Sequence, residues 1–214
     1  LVFGGKEKTY QAWAGIDAAQ LATNRRQNPY TYENEIDDYQ QDHYQFHWNE
    51  RLTENWSTNI GLNYTKGQGY FEQYKANKKP SDYANLVIAT NNGKTDLIVR
   101  RWLDNKFYVA NFNTTYKKED LEIISGFSYS NYSNKHFGEV IWAKQFAPTA
   151  NIRDKYYESN SKKNDFSVFS KATFKVGDNM SFYADLQYRK VNYTTSGLTS
   201  DRNTINVDET FNFF

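Results

Sequence analysis

A period of two runs through most of this chain and limits what it can fold into. Between Asp42 and Leu52 the rings of Tyr44, Phe46 and Trp48 alternate with His43, Gln45, His47 and Asn49. Successive side chains of an extended strand point to opposite faces, so the pattern sets rings on one side and polar groups on the other. After Thr53, Glu54 and Asn55 it resumes with Thr58, Ile60, Leu62 and Tyr64 against Asn59, Gly61 and Asn63. Two alternating runs joined by a short polar turn predict a β-hairpin. A second hairpin runs through Tyr108, Ala110, Phe112, Thr114 and Tyr116, turns at 117–120, and returns through Leu121, Ile123, Ser125, Phe127 and Tyr129. A third has Phe166, Val168, Ser170, Ala172, Phe174 and Val176, a turn at Gly177, Asp178 and Asn179, then Met180, Phe182, Ala184, Leu186 and Tyr188.

The connections alternate in length: short at 53–55, 117–120 and 177–179, long at 75–96, 133–162 and 194–206. A soluble sandwich spreads loops of medium length over both ends, whereas a barrel of the outer-membrane kind has tight turns at one end and long loops at the other. The fold class expected is therefore all-β, an antiparallel up-and-down meander forming part of a transmembrane β-barrel. A mean hydropathy of −0.90 does not oppose this, because a lipid-crossing strand needs only ~9–11 residues with every second one apolar. No run reaches the ~18 apolar residues of a membrane helix. Tyr108, Phe112, Phe127, Phe166, Phe174, Phe182 and Leu186 are the expected lipid-facing residues. Asn59, Asn63, Lys171, Asp185 and Arg189 fall on the other, lumenal side, and Trp48, Trp56, Tyr64, Tyr116 and Tyr129 sit where aromatic girdles belong.

Charge argues against nucleic acid as a partner, because 26 Lys+Arg stand against 25 Asp+Glu and no run of basic residues is longer than a pair. The absence of cysteine excludes a disulfide scaffold and thiolate metal sites. Six strands are clear, with a candidate seventh over Val207–Phe214 and an extended stretch near the N-terminus, and residues 1–41 read as an extracellular loop-like region with one short strand ahead of hairpins over 42–214. The apolar ending at Phe213 and Phe214 and the strand count lead to the expectation of a segment of a larger barrel.

Four segments resemble the barrel of TonB-dependent outer-membrane receptors of the Bacteroidetes type. They are Phe3-Gly4-Gly5-Lys6-Glu7 with Thr9-Tyr10-Gln11-Ala12-Trp13; Asn28-Pro29-Tyr30-Thr31-Tyr32 followed by Asp42-His43-Tyr44-Gln45; Arg100-Arg101-Trp102-Leu103-Asp104-Asn105; and His136-Phe137-Gly138-Glu139-Val140-Ile141-Trp142-Ala143. The terminal Phe211-Asn212-Phe213-Phe214 looks like the start of a further strand. The resemblance implies a barrel of about 22 strands closed by an N-terminal plug, of which this chain would hold six to eight. It implies residence in the outer membrane among its lipids, and energised uptake of a small nutrient such as a ferric siderophore. The TonB complex would act through an N-terminal part outside this sequence.

Chemistry-bearing candidates are few. Arg100 and Arg101, followed by Trp102, could hold an anionic ligand through forked guanidinium contacts. Tyr70, Phe71, Tyr74, Tyr83, Tyr156 and Tyr157 lie in or beside the long loops and could stack on a sugar or another ring. His43 and His47 share a strand face but stand ~13 Å apart, too far to hold one ion. The acidic cluster Glu33, Glu35, Asp37, Asp38 and Asp42 offers oxygens to calcium without the ordered spacing of a calcium loop. Gly67 and Gly69 follow a strand with no helix behind, and His136 has no recognisable nucleophile partner. No catalysis, metal or cofactor is expected. The competing expectation is a soluble β-sheet module that binds glycans through its aromatic loops.

Overall fold

The computed structural model describes residues 1–214 except Trp13, Asn91 and Asp178. The described residues form one open antiparallel sheet of eight strands in sequence order, a pure meander. The strands are β1 (Val2–Tyr10), β2 (Ile36–Arg51), β3 (Trp56–Lys78), β4 (Thr95–Lys118), β5 (Leu121–Ala143), β6 (Lys155–Val176), β7 (Met180–Leu198) and β8 (Thr204–Phe213). One short helix, α1 (Ala18–Thr23), lies between β1 and β2. Asp17 caps it by accepting from the Gln20 backbone N–H while the Gln20 side chain accepts in return.

Register converts the period-two pattern into two faces. Directly opposed residues share a face, and one row runs Trp48, Ile60, Phe112, Phe127, Val168 and Tyr188 across β2 to β7. The same parity places Tyr108, Phe166, Phe174, Phe182 and Leu186 on this apolar face. Phe46, Phe174 and Phe182 are exposed there, and Leu186 is 78% exposed. Phe112 is half-buried because it stacks on Phe127 with centroids 5.6 Å apart. The opposite face at the same height carries Asn59, Asn111, Asn113, Ser128, Lys171 and Asp185. Its groups satisfy one another: Ser128 donates to Asn111 at 2.7 Å, and Arg189 grips Asp165 through two bonds of 2.8 and 2.5 Å.

Several expectations need correction. The strands are much longer than the alternation showed; the 24 residues of β4 span roughly 80 Å at ~3.3 Å per residue. The long connections shrink from 75–96, 133–162 and 194–206 to 79–94, 144–154 and 199–203. Ser130 to Lys135 and Asn160 to Lys163 are polar on both faces, so no alternation marks them, yet ladder pairing holds them as strand. The short strand expected within residues 1–41 is β1, which pairs with β2 from Val2↔Tyr44 to Tyr10↔Ile36, and β2 itself begins inside that region at Ile36. The tight turns leave 52–55, 119–120 and 177–179 outside the strands, with Asp178 outside the described residues. Gly177 has φ of +65°, which the turn requires.

The hydrophobic core sits at the end of the long connections, on the polar face. There the 79–94 connection folds back so that Tyr83 and Val87 pack on Leu97, Val99, Val140, Ala143, Tyr156 and Tyr157. Backbone bonds tie it to the 144–154 connection, Ile88 donating to Gln145 at 3.0 Å and Ala147 to Leu86 at 2.9 Å. Arg202 of the β7–β8 turn donates to the Ser81 carbonyl at 2.7 Å.

Candidate functional site

Adjacent residues of a strand point to opposite faces, and this separates the two arginines that the sequence set side by side. Arg100 lies on the face that carries the apolar rings lower down. Its Nε meets Glu72 at 2.8 Å, its guanidinium lies 4.2 Å from the Tyr70 ring centre, and Tyr32 donates to Glu72 at 2.7 Å. Arg101 faces the polar side, where its Nε donates to the Tyr156 hydroxyl at 3.2 Å. No forked pair forms.

The remaining candidates divide in the same way. Tyr70 and Tyr74 stand on β3 with Arg100, and Tyr70 packs on Trp102 with centroids 4.6 Å apart. Tyr156 and Tyr157 stand on β6 with Arg101. A register shift between Gly138 and Glu139 leaves Tyr156 without a direct partner, and both tyrosines turn into the polar-face core. Gly138 makes this possible, because a Cβ there would collide with both rings.

Two register rows build the floor around Arg101. One runs Thr9, Asp37, Phe71, Arg101, Gly138 and Tyr157; the next runs Glu7, Tyr39, Gly69, Leu103, His136 and Ser159. A concavity of about 330 Å³ opens over them, lined by Glu7, Asp37, Tyr39, Phe71, Arg101 and Leu103. Gly69 keeps it open, since a Cβ there would strike the Asp38 carbonyl and Tyr39. Among the described residues no carboxylate forms an ion pair with Arg101. Its guanidinium meets the Tyr156 hydroxyl and the Phe71 ring, 5.8 Å from the guanidinium carbon.

Burial and charge tune the surrounding groups. Burial raises the Asp37 carboxyl above its ordinary range, and Glu7 and Asp38 add to the shift. Burial lowers His136, with Arg101 adding repulsion, and its Nε2 shares a 3.0 Å hydrogen bond with the Tyr157 hydroxyl. Burial also raises Tyr156, Tyr157 and Tyr83, so their hydroxyls stay protonated. Lys75 is lowered by burial and by Arg101 and Lys78, opposed by Glu35, which is itself raised by burial. The result is a cluster in which Arg101 and Lys75 lie near neutral rings, with the carboxyls of Glu7 and Asp37 lining the concavity.

The acidic cluster disperses along β2 and its approach. Asp37 and Asp38 face opposite ways, Asp38 pairs with Lys6 at 3.1 Å, and Asp42 accepts from Gln40 at 3.1 Å. Among the described residues no three His, Asp or Glu side chains converge as a metal site would require. His43 shares a 3.0 Å bond with Thr65, and His47 contacts Gln45 at 3.4 Å. Glu7, Thr9, Tyr39 and Leu103 were not legible as site residues. The signal that could have found them was strand parity carried across the register from Arg101.

No family model matches the chain, and no curated protein does. Its fold is similar to that of the ferric-catecholate import receptor Fiu of E. coli K12 in its closed form, at a TM-score of 0.57 and 12% identity over 99% of this chain. The chain spans 36% of that receptor's length. At this identity the likeness speaks for the fold alone: an eight-stranded antiparallel meander in an open sheet, consistent with part of a β-barrel.

Proposed function

We propose that this chain is part of the barrel of a TonB-dependent outer-membrane receptor that takes up a small nutrient such as a ferric siderophore. One observation carries the reading. On a single face, the rings and aliphatic groups occupy a band next to the tight turns: Tyr44–Leu52, Trp56–Tyr64, Tyr108–Tyr116, Leu121–Tyr129, Phe166–Val176 and Met180–Tyr188. Each run has the ~9–11 residues a tilted lipid-crossing strand needs. Among the described residues no second sheet covers this band, and water would be a poor solvent for so many exposed rings.

The band has aromatic margins. On the connection side Tyr44, Tyr64 and Tyr108 form a stacked row, with centroids 5.8 and 4.6 Å apart. At the turn side Trp56 meets Tyr116 edge-on at 5.8 Å. Amphipathic rings of this kind settle at the two membrane interfaces. Above the margin the strands continue into solvent, and the polar face there holds the concavity of Arg101. In this reading the nutrient is anionic and aromatic, held by the Arg101 guanidinium and stacked on Tyr39 and Phe71. Further strands of the barrel pair with the free edges of β1 and β8, a plug meets the polar face, and the TonB complex engages outside this segment.

The test is membrane fractionation of the full-length polypeptide with comparison of boiled and unboiled gel migration. Recovery in the outer-membrane fraction with faster migration unboiled is the expected result. A soluble protein that migrates identically either way contradicts the reading.

A further inference from the structure

The face that carries the apolar band also carries lysines directly above it. Lys66 and Lys106 are opposed across β3 and β4, one register step beyond the Tyr64–Tyr108 pair, and Lys162 stands in the same row two strands further. All three are exposed, and among the described residues none forms an ion pair with a carboxylate. Of the acidic residues on this face nearby, Asp42 directly opposes Lys66 on its β2 side and accepts from Gln40, Asp208 closes the far end of the row, and Asp104 lies in the next row opposite Lys135, which pairs with Glu158 at 3.0 Å. Like charges set directly opposite each other on neighbouring strands, ~5 Å apart, destabilise a sheet unless an anion lies between them.

Immediately below this pair the apolar face is grooved. A concavity of about 450 Å³ is lined by Tyr44, Phe46, Leu62, Tyr64, Tyr108 and Tyr129, with the small side chain of Ala110 leaving the gap. Lys66, Tyr64 and Leu62 follow one another down the same face of β3, and Lys106, Tyr108 and Ala110 down β4. Cations therefore top a slot of rings and aliphatic groups.

We propose that this is a binding site for a single lipid whose headgroup carries a phosphate monoester. The phosphate bridges Lys66 and Lys106, the tyrosine hydroxyls lie at the headgroup level, and one acyl chain runs down the groove past Ala110. Lys162 extends the cationic row to a second phosphate or a neighbouring lipid. The inference rests on the membrane reading above, since the groove must face lipid. It adds a partner that the uptake site on the opposite face does not need.

The experiment reconstitutes the full-length polypeptide in phosphatidylcholine vesicles with and without phosphatidic acid. Insertion is read by flotation, and bound lipid by native mass spectrometry after detergent extraction. The wild type should insert in both and retain phosphatidic acid. K66Q/K106Q should insert equally well in phosphatidylcholine but bind phosphatidic acid about 25-fold more weakly, at about 5-fold per lysine. Ala110→Phe, which fills the groove and leaves the lysines, should also lose the lipid. Wild-type insertion without preference for phosphatidic acid overturns the lipid site and leaves the membrane reading standing. Displacement of the lipid by millimolar inorganic phosphate also overturns it, because a free anion would then be the ligand. Failure of the wild type to insert in either vesicle overturns both.

Discussion

Gly138 lies beneath Tyr157, and the ring occupies the space a β-carbon on residue 138 would need. The same absent carbon lets Tyr156 turn inward at the register shift, so one glycine sets two rings of the polar-face core. Gly138→Ala should therefore overpack this end and destabilise it by about 1–3 kcal/mol. Limited proteolysis should show faster cleavage in the 79–94 connection, which rests on those rings. Unchanged cleavage would mean the rings do not hold the connection down.

The two arginines should separate in their effects. Arg100→Ala leaves the Glu72 carboxylate, whose side chain is 4% exposed, without its cation, at a cost of roughly 3 kcal/mol. Tyr32→Phe removes one hydrogen bond to the same carboxylate and should cost ~1 kcal/mol. Both act on stability, and denaturation in detergent reads them. Arg101→Met should instead leave the fold nearly unchanged and weaken nutrient binding by at least tenfold. Equal effects of Arg100→Ala and Arg101→Met on binding would contradict the assignment of opposite faces.

Phe174 is 49% exposed, opposes Phe182 and stands in the apolar band. Phe174 stands two residues from the end of β6, toward the turn-side margin, so Phe174→Arg should hinder membrane assembly by up to ~1 kcal/mol. Lys171→Gln, on the polar face of the same strand, should assemble as the wild type does. Assembly yield from the two variants decides it, and normal assembly of Phe174→Arg would remove that residue from the lipid face.

Asp96 accepts from Lys144 at 2.7 Å and from the Asn77 backbone N–H at 2.8 Å, which holds its carboxyl down at about 2. A carboxyl depressed on folding adds stability that is present above its unfolded value, near 3.9, and is lost as pH falls through its folded value. The tie that this pair makes between the start of β4 and the β5–β6 connection should thus persist at pH 4 and fade towards pH 2. Carboxyl NMR should give a midpoint near 2 that moves up in Lys144→Ala. An Asp96 midpoint in the ordinary range would refute the pairing.

The meander and the parity of the ring-bearing face were readable because apolar groups there keep to every second position, as Tyr108, Ala110 and Phe112 show. The upper halves of β5 and β6 were not. Asn131 through Lys135 carry polar groups on both faces, and only pairing with neighbouring strands reveals them. β1 was legible only as one short strand without bounds, its Gly4-Gly5 and Lys6-Glu7-Lys8 having no apolar period. The candidate site failed at one specific step. Arg100 and Arg101 were read as neighbours in sequence, whereas the pleat makes Asp37, Phe71 and Gly138 the neighbours of Arg101 and leaves Arg100 to Glu72.

The natural sequence here contains no cysteine, which makes the apolar band directly measurable. Single cysteines placed in turn at residues 108 to 116 of the full-length polypeptide would carry a label, with accessibility read by lipid-soluble and water-soluble quenchers. The account predicts that labels replacing Tyr108, Ala110, Phe112, Thr114 and Tyr116 are quenched from the lipid. Those replacing Val109, Asn111, Asn113 and Thr115 should be quenched from water alone. Lipid quenching without alternation, or none at any of these positions, would contradict a membrane-spanning strand with its rings turned to the bilayer.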